Sequence, residues 1–256
     1  MLEVNKIYLE DCLVGMKSID DKSIDCIICD LPYGQTKNEL DVVIPFEPLW
    51  AEYKRIIKDH GAILLFAQGM FTAKLMLSNE KMWRYNLIWK KGGRTSGFLN
   101  AKRMPMRNHE DICVFYKKLP TYNPQMRQGQ PLHGKGRGVH KFTNNNYGNF
   151  YETEDTRAGS TEKYPISVLD FNRPHPPIHP TQKPVELVEY LIKTYTNEGD
   201  LVLDNCIGSG TTALACLGTN RRFIGFENYK EYFDLANARI ENYLNKKPFE
   251  ILPENK

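Results

Sequence analysis

The stretch Leu201-Val202-Leu203-Asp204-Asn205-Cys206-Ile207-Gly208-Ser209-Gly210-Thr211-Thr212 decides the fold class. Three apolar residues that suit a strand run into a Gly-x-Gly turn, and a helical run begins at Thr211. Glycines let the backbone turn tightly and let a ligand approach closely, while the first amides of a helix favour a negative group. One strand later, Phe223-Ile224-Gly225-Phe226 ends in Glu227, an acceptor suited to ribose hydroxyls. No Gly-Lys-[Ser/Thr] follows the turn, and the third glycine of the dinucleotide fingerprint is missing. The spacing therefore suits a nucleoside ligand without a pyrophosphate.

Outward from this turn, strands and helices alternate. Ile24–Cys29, Gly61–Ala67, Tyr85–Trp89 and Ile112–Tyr116 read as strands. Helical spacing runs over Phe46–Lys58, Phe71–Leu77, Val185–Tyr195 and about Lys230–Leu244. Such alternation predicts an α/β fold with a mostly parallel sheet covered by helices on both faces. Pro120–Tyr164 breaks the rhythm: it is rich in Gly, Asn, Pro and basic residues, and no helical or strand period survives in it. It reads as an inserted segment rather than core.

Composition removes several classes. At 256 residues, 41% hydrophobic and 25% charged, the chain can bury a core without staples. The longest apolar stretch, Ala62–Ala67, is far below the ~18–20 residues of a membrane span. The first residues alternate charged and apolar types, unlike a signal peptide, and six cysteines are too sparse for a disulfide scaffold. A soluble, reduced, cytoplasmic protein is expected, with no membrane partner. Cys26 and Cys29 form a Cys-x-x-Cys without a second pair, and their positions on one strand point to opposite faces, so no metal is expected. The formal net charge of +3 hides an asymmetry. Residues 90–141 hold twelve basic and two acidic residues, a local +10 that leaves −7 on the remainder. A polyanion partner is expected beside the basic stretch.

A second element carries chemistry. The strand Ile24–Cys29 ends in Asp30-Leu31-Pro32-Tyr33-Gly34. A carboxylate at a strand's C-terminal edge sits where α/β sheets bind ligands. Asp30 and backbone carbonyls can accept from an exocyclic amine, and Tyr33 can stack on a planar ring. Taken with the glycine turn, this motif resembles the amino-group DNA methyltransferases, which move a methyl from S-adenosylmethionine to adenine N6 or cytosine N4. The motif order, catalytic element first and cofactor turn last, resembles their circularly permuted β class. His179-Pro180-Thr181-Gln182-Lys183-Pro184, Ile7-Tyr8-Leu9-Glu10-Asp11-Cys12 and Arg107-Asn108-His109-Glu110-Asp111-Ile112 resemble further segments of the family. Two positions depart from its pattern. Leu31 stands where proline is usual, and Asn205-Cys206-Ile207 stand where Asp-Pro-Phe commonly precedes the turn.

The resemblance implies a Rossmann-like methyltransferase domain. Residues 1–119 would form its catalytic half, 120–165 a target-recognition insertion, and 166–256 its S-adenosylmethionine-binding half. It implies Asp30, Leu31, Pro32 and Tyr33 as catalytic residues, with Asp30 also beside the cofactor. It implies Asp11 and Cys12 at the cofactor adenine, Glu227 at the ribose, and Thr181, Gln182 and Lys183 at the methionine end. Asp204, Asn205, Cys206, Gly208, Ser209, Gly210, Thr211 and Thr212 would line the loop. Lys90, Lys91, Arg94, Lys102, Arg103, Arg107, Lys135, Arg137 and Lys141 would contact double-stranded DNA. Asp at position 30 leans to adenine N6, with cytosine N4 the alternative. A non-catalytic nucleic-acid-binding subunit of the same fold is the competitor from another class. The motifs leave open a homodimer, a cognate restriction endonuclease and the recognition sequence.

Overall fold

The computed structural model describes residues 2–35, 41–93, 95–131, 141–144, 148–151, 159–174 and 182–246. Arg94, Lys135, Arg137 and Thr181 lie outside the described residues, as does the side chain of Lys141. The strands are β1 (Lys6–Leu9), β2 (Ile24–Cys29), β3 (Ile57–Ala67), β4 (Trp83–Lys90), β5 (His109–Phe115), β6 (Arg127–Gln128), β7 (Lys141–Asn144), β8 (Gly148–Tyr151), β9 (Glu162–Lys163), β10 (Val168–Asp170), β11 (Leu201–Asp204) and β12 (Arg222–Glu227). The helices are α1 (Cys12–Gly15), α2 (Phe46–Ile56), α3 (Met70–Ser78), α4 (Val185–Tyr195), α5 (Thr211–Gly218) and α6 (Lys230–Lys246). Among the described residues, no helix is long and apolar enough to cross a membrane.

Eight strands form one sheet in the order β1-β12-β11-β2-β3-β5-β4-β10. Every pairing is parallel except the two made by β5, which runs against β3 and β4. The architecture is Rossmann-like. Alternation along β2 shows why helices cover both faces. Ile27 and Cys29 face a core that includes Leu49, Trp50 and Tyr53 of α2, while Cys26 and Ile28 face Leu187, Val188 and Leu191 of α4. The two cysteines thus point to opposite faces, as their spacing requires.

Two local readings need correction. The helical spacing over Phe46–Lys58 overruns the helix. α2 stops at Ile56, and Ile57 enters β3 as a partner of Ile24. Ile57 fits an apolar stripe of either period, so pairing with a neighbouring strand decides its state. Residues within 120–164 also hold more regular structure than their composition suggests. β6 pairs with β9 and β7 with β8, both antiparallel. By contact density Pro124–Ile166 is one compact unit, and Met1–Asn123 with Ser167–Lys256 is the other.

Candidate active site

Parallel strands present their C-terminal ends at one sheet edge. In the larger unit β1, β2, β3, β4, β11 and β12 all end there, and antiparallel β5 begins there. A cleft of about 710 Å³ opens along this edge. That size falls within the range of small-molecule sites. The cleft is lined by Asp11, Cys12, Asp30, Leu31, Pro32, Tyr33, Gln182, Lys183, Asp204, Asn205, Cys206, Gly208, Ser209, Thr211, Thr212 and Glu227. One cavity therefore brings together two motifs that are over 170 residues apart in sequence. Gly210 is not on its wall and shapes the turn behind it.

The glycine turn is held by its neighbours. Gly208 and Gly210 have φ of 52° and 78°, a left-handed backbone that favours glycine. The Glu227 carboxylate accepts from Gly208 N at 2.9 Å and from Tyr229 N at 2.9 Å. Asp204 accepts from the Thr212 hydroxyl at 2.6 Å and from Cys206 N at 3.1 Å, bracing the strand against the first turn of α5. Burial pushes the Asp204 carboxyl up to about 7, against the pull of these hydrogen bonds. Arg239 donates to the Ser209 carbonyl and, at 3.1 Å, to its hydroxyl. Asn205 accepts from the Tyr53 hydroxyl at 2.5 Å, so it is anchored to α2. At the other end Asp11 caps α1, accepting from Leu13 N at 2.9 Å and Val14 N at 3.2 Å.

The Asp30 carboxylate is gripped from two sides. One oxygen accepts from the Tyr33 hydroxyl at 2.7 Å, and the other accepts from the Lys183 ammonium. Burial, then the charges of Asp30 and Glu110, push the Tyr33 phenol well up, so it stays a donor. Its ring stacks on Phe71 with centroids 4.9 Å apart. Asp41 accepts from Gly34 N and Gln35 N at 2.7 and 2.8 Å, which fixes the turn after the motif.

Glu110 and Lys91 complete this corner. Lys183 Nζ lies 3.4 Å from Glu110 Oε2, and Lys91 Nζ lies 2.5 Å from Glu110 Oε1. Asp30, Lys183, Glu110 and Lys91 thus alternate in sign along the wall. Burial opposes the charge on Lys183, but Asp30 and Glu110 outweigh it and hold the ammonium above the usual lysine range. Burial likewise opposes the charge on Glu110, yet Lys183 and Lys91 hold its carboxyl below the ordinary range. The expectation that Lys91 meets DNA phosphates does not fit its position. It is 4% exposed, and its ammonium is committed to Glu110. Lys90 is exposed and pairs with Asp170 at 2.6 Å. Lys102, Arg103 and Arg107 are exposed, and Arg107 also lines the cleft. In the sequence the segment Arg107–Ile112 marks Glu110 by resemblance only, and no local signal links it to Lys91 or Lys183.

Comparison with known proteins agrees with this geometry. Residues 24–238 match the N6/N4 methyltransferase family, described as "DNA methylase". Type II methyltransferase M.HpaI of Haemophilus parainfluenzae is 29% identical over 94% of this chain and 75% of its own length. DNA adenine methyltransferase YhdJ of Escherichia coli (strain K12) is 27% identical over 93% of this chain and 83% of its own. Among solved structures, the M1.HpyAVI–SAM complex superposes with a TM-score of 0.60 at 25% identity, covering 91% of this chain and 98% of that one. The cytosine-N4-specific PvuII DNA methyltransferase shares the fold, with a TM-score of 0.64 at 15% identity over 94% and 91% of the two chains. The family, the cleft and its paired motifs agree, and the chain belongs to the N6/N4 DNA methylases, which use S-adenosylmethionine as their cofactor.

Proposed function

We propose that the chain methylates the N6 amine of an adenine extruded from duplex DNA. The observation that carries this reading is the Asp30 carboxylate at the end of β2, held as the partner of Lys183 and Tyr33. A carboxylate offers about four acceptor sites, so two remain for an incoming amine. When bound, the cofactor supplies a methyl group on a positively charged sulfur.

The chain's residues must present a poor nucleophile. The adenine amine shares its lone pair with the ring. Hydrogen bonds from its two N–H groups to Asp30 and to the Leu31 carbonyl favour a more localised lone pair, aimed along the transfer path. Orientation of this kind can supply roughly 7–11 kcal/mol in ideal cases. The nitrogen that gains a methyl must lose one proton, and the Asp30 carboxylate is the acceptor beside it. No covalent enzyme adduct is required. Tyr33, backed by Phe71, offers a ring to stack on the extruded base, which offsets part of the few kcal/mol that extrusion costs. Asp11, Glu227 and the turn at Gly208–Thr212 form the nucleoside end of the cofactor site in this reading. The acidic Glu227 at the end of β12 supports a ribose there.

The motif Asp30-Leu31-Pro32-Tyr33 supports adenine over cytosine, as does the similarity to a relative named as an adenine methyltransferase. Expressing the chain in cells that lack DNA methylation and sequencing the modified bases tests the reading. N6-methyladenine at one short motif is expected, and it should vanish with Asp30→Ala. N4-methylcytosine alone would move the target to cytosine. Unmodified DNA from active expression would instead favour a non-catalytic subunit.

A further inference from the structure

The loop between β4 and β5 carries an apolar surface that neither core nor cleft uses. Phe98 is 74% exposed and Leu99 85%, and Met104 and Met106 are exposed beside them. Clustered large apolar side chains in water mark a contact surface more often than chance exposure. The loop is also built. Ser96 and Arg107 exchange backbone hydrogen bonds of 2.7 and 3.0 Å at its base. Within it Ala101 N donates to the Phe98 carbonyl, and Arg103 N and Met104 N donate to the Asn100 carbonyl. Gly97, with φ of 85°, lets the chain reverse just before Phe98. The base of the loop is part of the active-site wall, because Ser96 and Arg107 line the same cleft as Asp30 and Tyr33.

Charge chooses the occupant. From Gly97 to Arg107 the loop holds Lys102, Arg103 and Arg107 and no acidic residue. Two copies of the chain meeting through this surface would bring two such cationic loops together. A polyanion with an apolar interior complements it instead, and stacked duplex DNA has both properties.

We propose that Phe98 and Leu99 form a wedge that enters the base stack beside the target and fills the space left by the extruded base. Lys102 and Arg103 seat the wedge on the flanking phosphates. Apolar side chains used in this way partly unstack a base step and hold it open. The wedge acts on the extruded state of the DNA and touches no reacting atom. The proposal rests on the base-extrusion reading above and adds the residues that drive it.

The test uses the full-length chain and duplex oligonucleotides carrying the motif found by sequencing. One duplex is fully paired; the other has an abasic site opposite the target, so that little pairing remains to be broken. A third carries 2-aminopurine at the target, whose fluorescence rises on unstacking. Phe98→Ala/Leu99→Ala should lose the fluorescence rise and lower kcat/KM on the paired duplex by about tenfold or more. On the abasic duplex it should recover to near the wild-type rate, and cofactor affinity by calorimetry should not change. Recovery there also shows that the variant is folded. An equal loss on both duplexes would overturn the wedge, as would no loss on either or conversion of a wild-type dimer to monomer. If the wild-type chain methylates the fully paired duplex yet binds the 2-aminopurine duplex with no rise in fluorescence, the extrusion reading itself fails.

Discussion

Lys183 and Asp30 are 153 residues apart in sequence yet share a hydrogen bond. The carboxylate could be found from sequence because Asp-Leu-Pro-Tyr ends a short apolar strand. Its partner could not, since a lysine carries no local sign of which strand edge it will meet. Resemblance implies Lys183 at the methionine end of the cofactor, and in the cleft its ammonium pairs with Asp30 and Glu110. Lys91 shows the same limit from the other direction. In a run of basic residues it looks like a phosphate contact, and only the fold turns it inward onto Glu110. The two roles for Lys183 separate experimentally. Lys183→Met should lower kcat by about a hundredfold, because loss of the ammonium frees the Asp30 carboxylate, the proposed amine acceptor, to move. Cofactor affinity by calorimetry should stay within a few-fold. A large loss of cofactor affinity with kcat preserved would instead make Lys183 a cofactor contact at the methionine end.

At the scale of the element, the unit β11–turn–α5 was the most readable part of the chain. Its apolar strand, two glycines and following threonines each state a local preference, and all agree. The end of α2 was less readable, because Ile56 and Ile57 satisfy helix and strand equally until β2 pairs with the second of them. The short strands of the 124–166 unit escaped detection because two to four residues are too few for a period to emerge. Asp204 is the clasp of the readable unit, and its environment gives a pH signature. Its folded-state carboxyl titrates near 7, against the ordinary value of 3.8. A carboxyl raised on folding contributes stability in its protonated form, fully present below about pH 4 and lost as pH rises through about 7. Asp204→Asn removes this titration while keeping an acceptor for one of the two donors. Urea unfolding at pH 5 and pH 8 should show the variant gaining about 2–3 kcal/mol on the wild type over that interval. A constant difference between the two proteins would mean that Asp204 is ionised throughout.

For the whole molecule, the near-neutral total of +3 conceals the basic stretch over residues 90–141, and the fold then divides that stretch again. Lys91 is internal. Lys117 and Lys118 pair with Asp59, near the start of β3 and so at the opposite end of that strand from the cleft. Lys90 is paired with Asp170. Apart from these, the described residues of the stretch in the larger unit leave Lys102, Arg103 and Arg107, all on the loop whose base lines the cleft, so the +10 of the stretch overstates the local field. Counterion release converts this into a measurement. Each phosphate neutralised on B-DNA contributes about −0.9 to the slope of log K against log salt. The three side chains of the rim should therefore account for a slope of about −3. Lys102→Ala/Arg103→Ala should make the measured slope shallower by about 2, with affinities for unrelated duplexes weakened as much as those for the cognate motif. The wild type and the variant should converge as salt rises, and cofactor affinity should respond to salt in neither. An unchanged slope would remove these two cations from the DNA contact and transfer the electrostatic work to other parts of the chain.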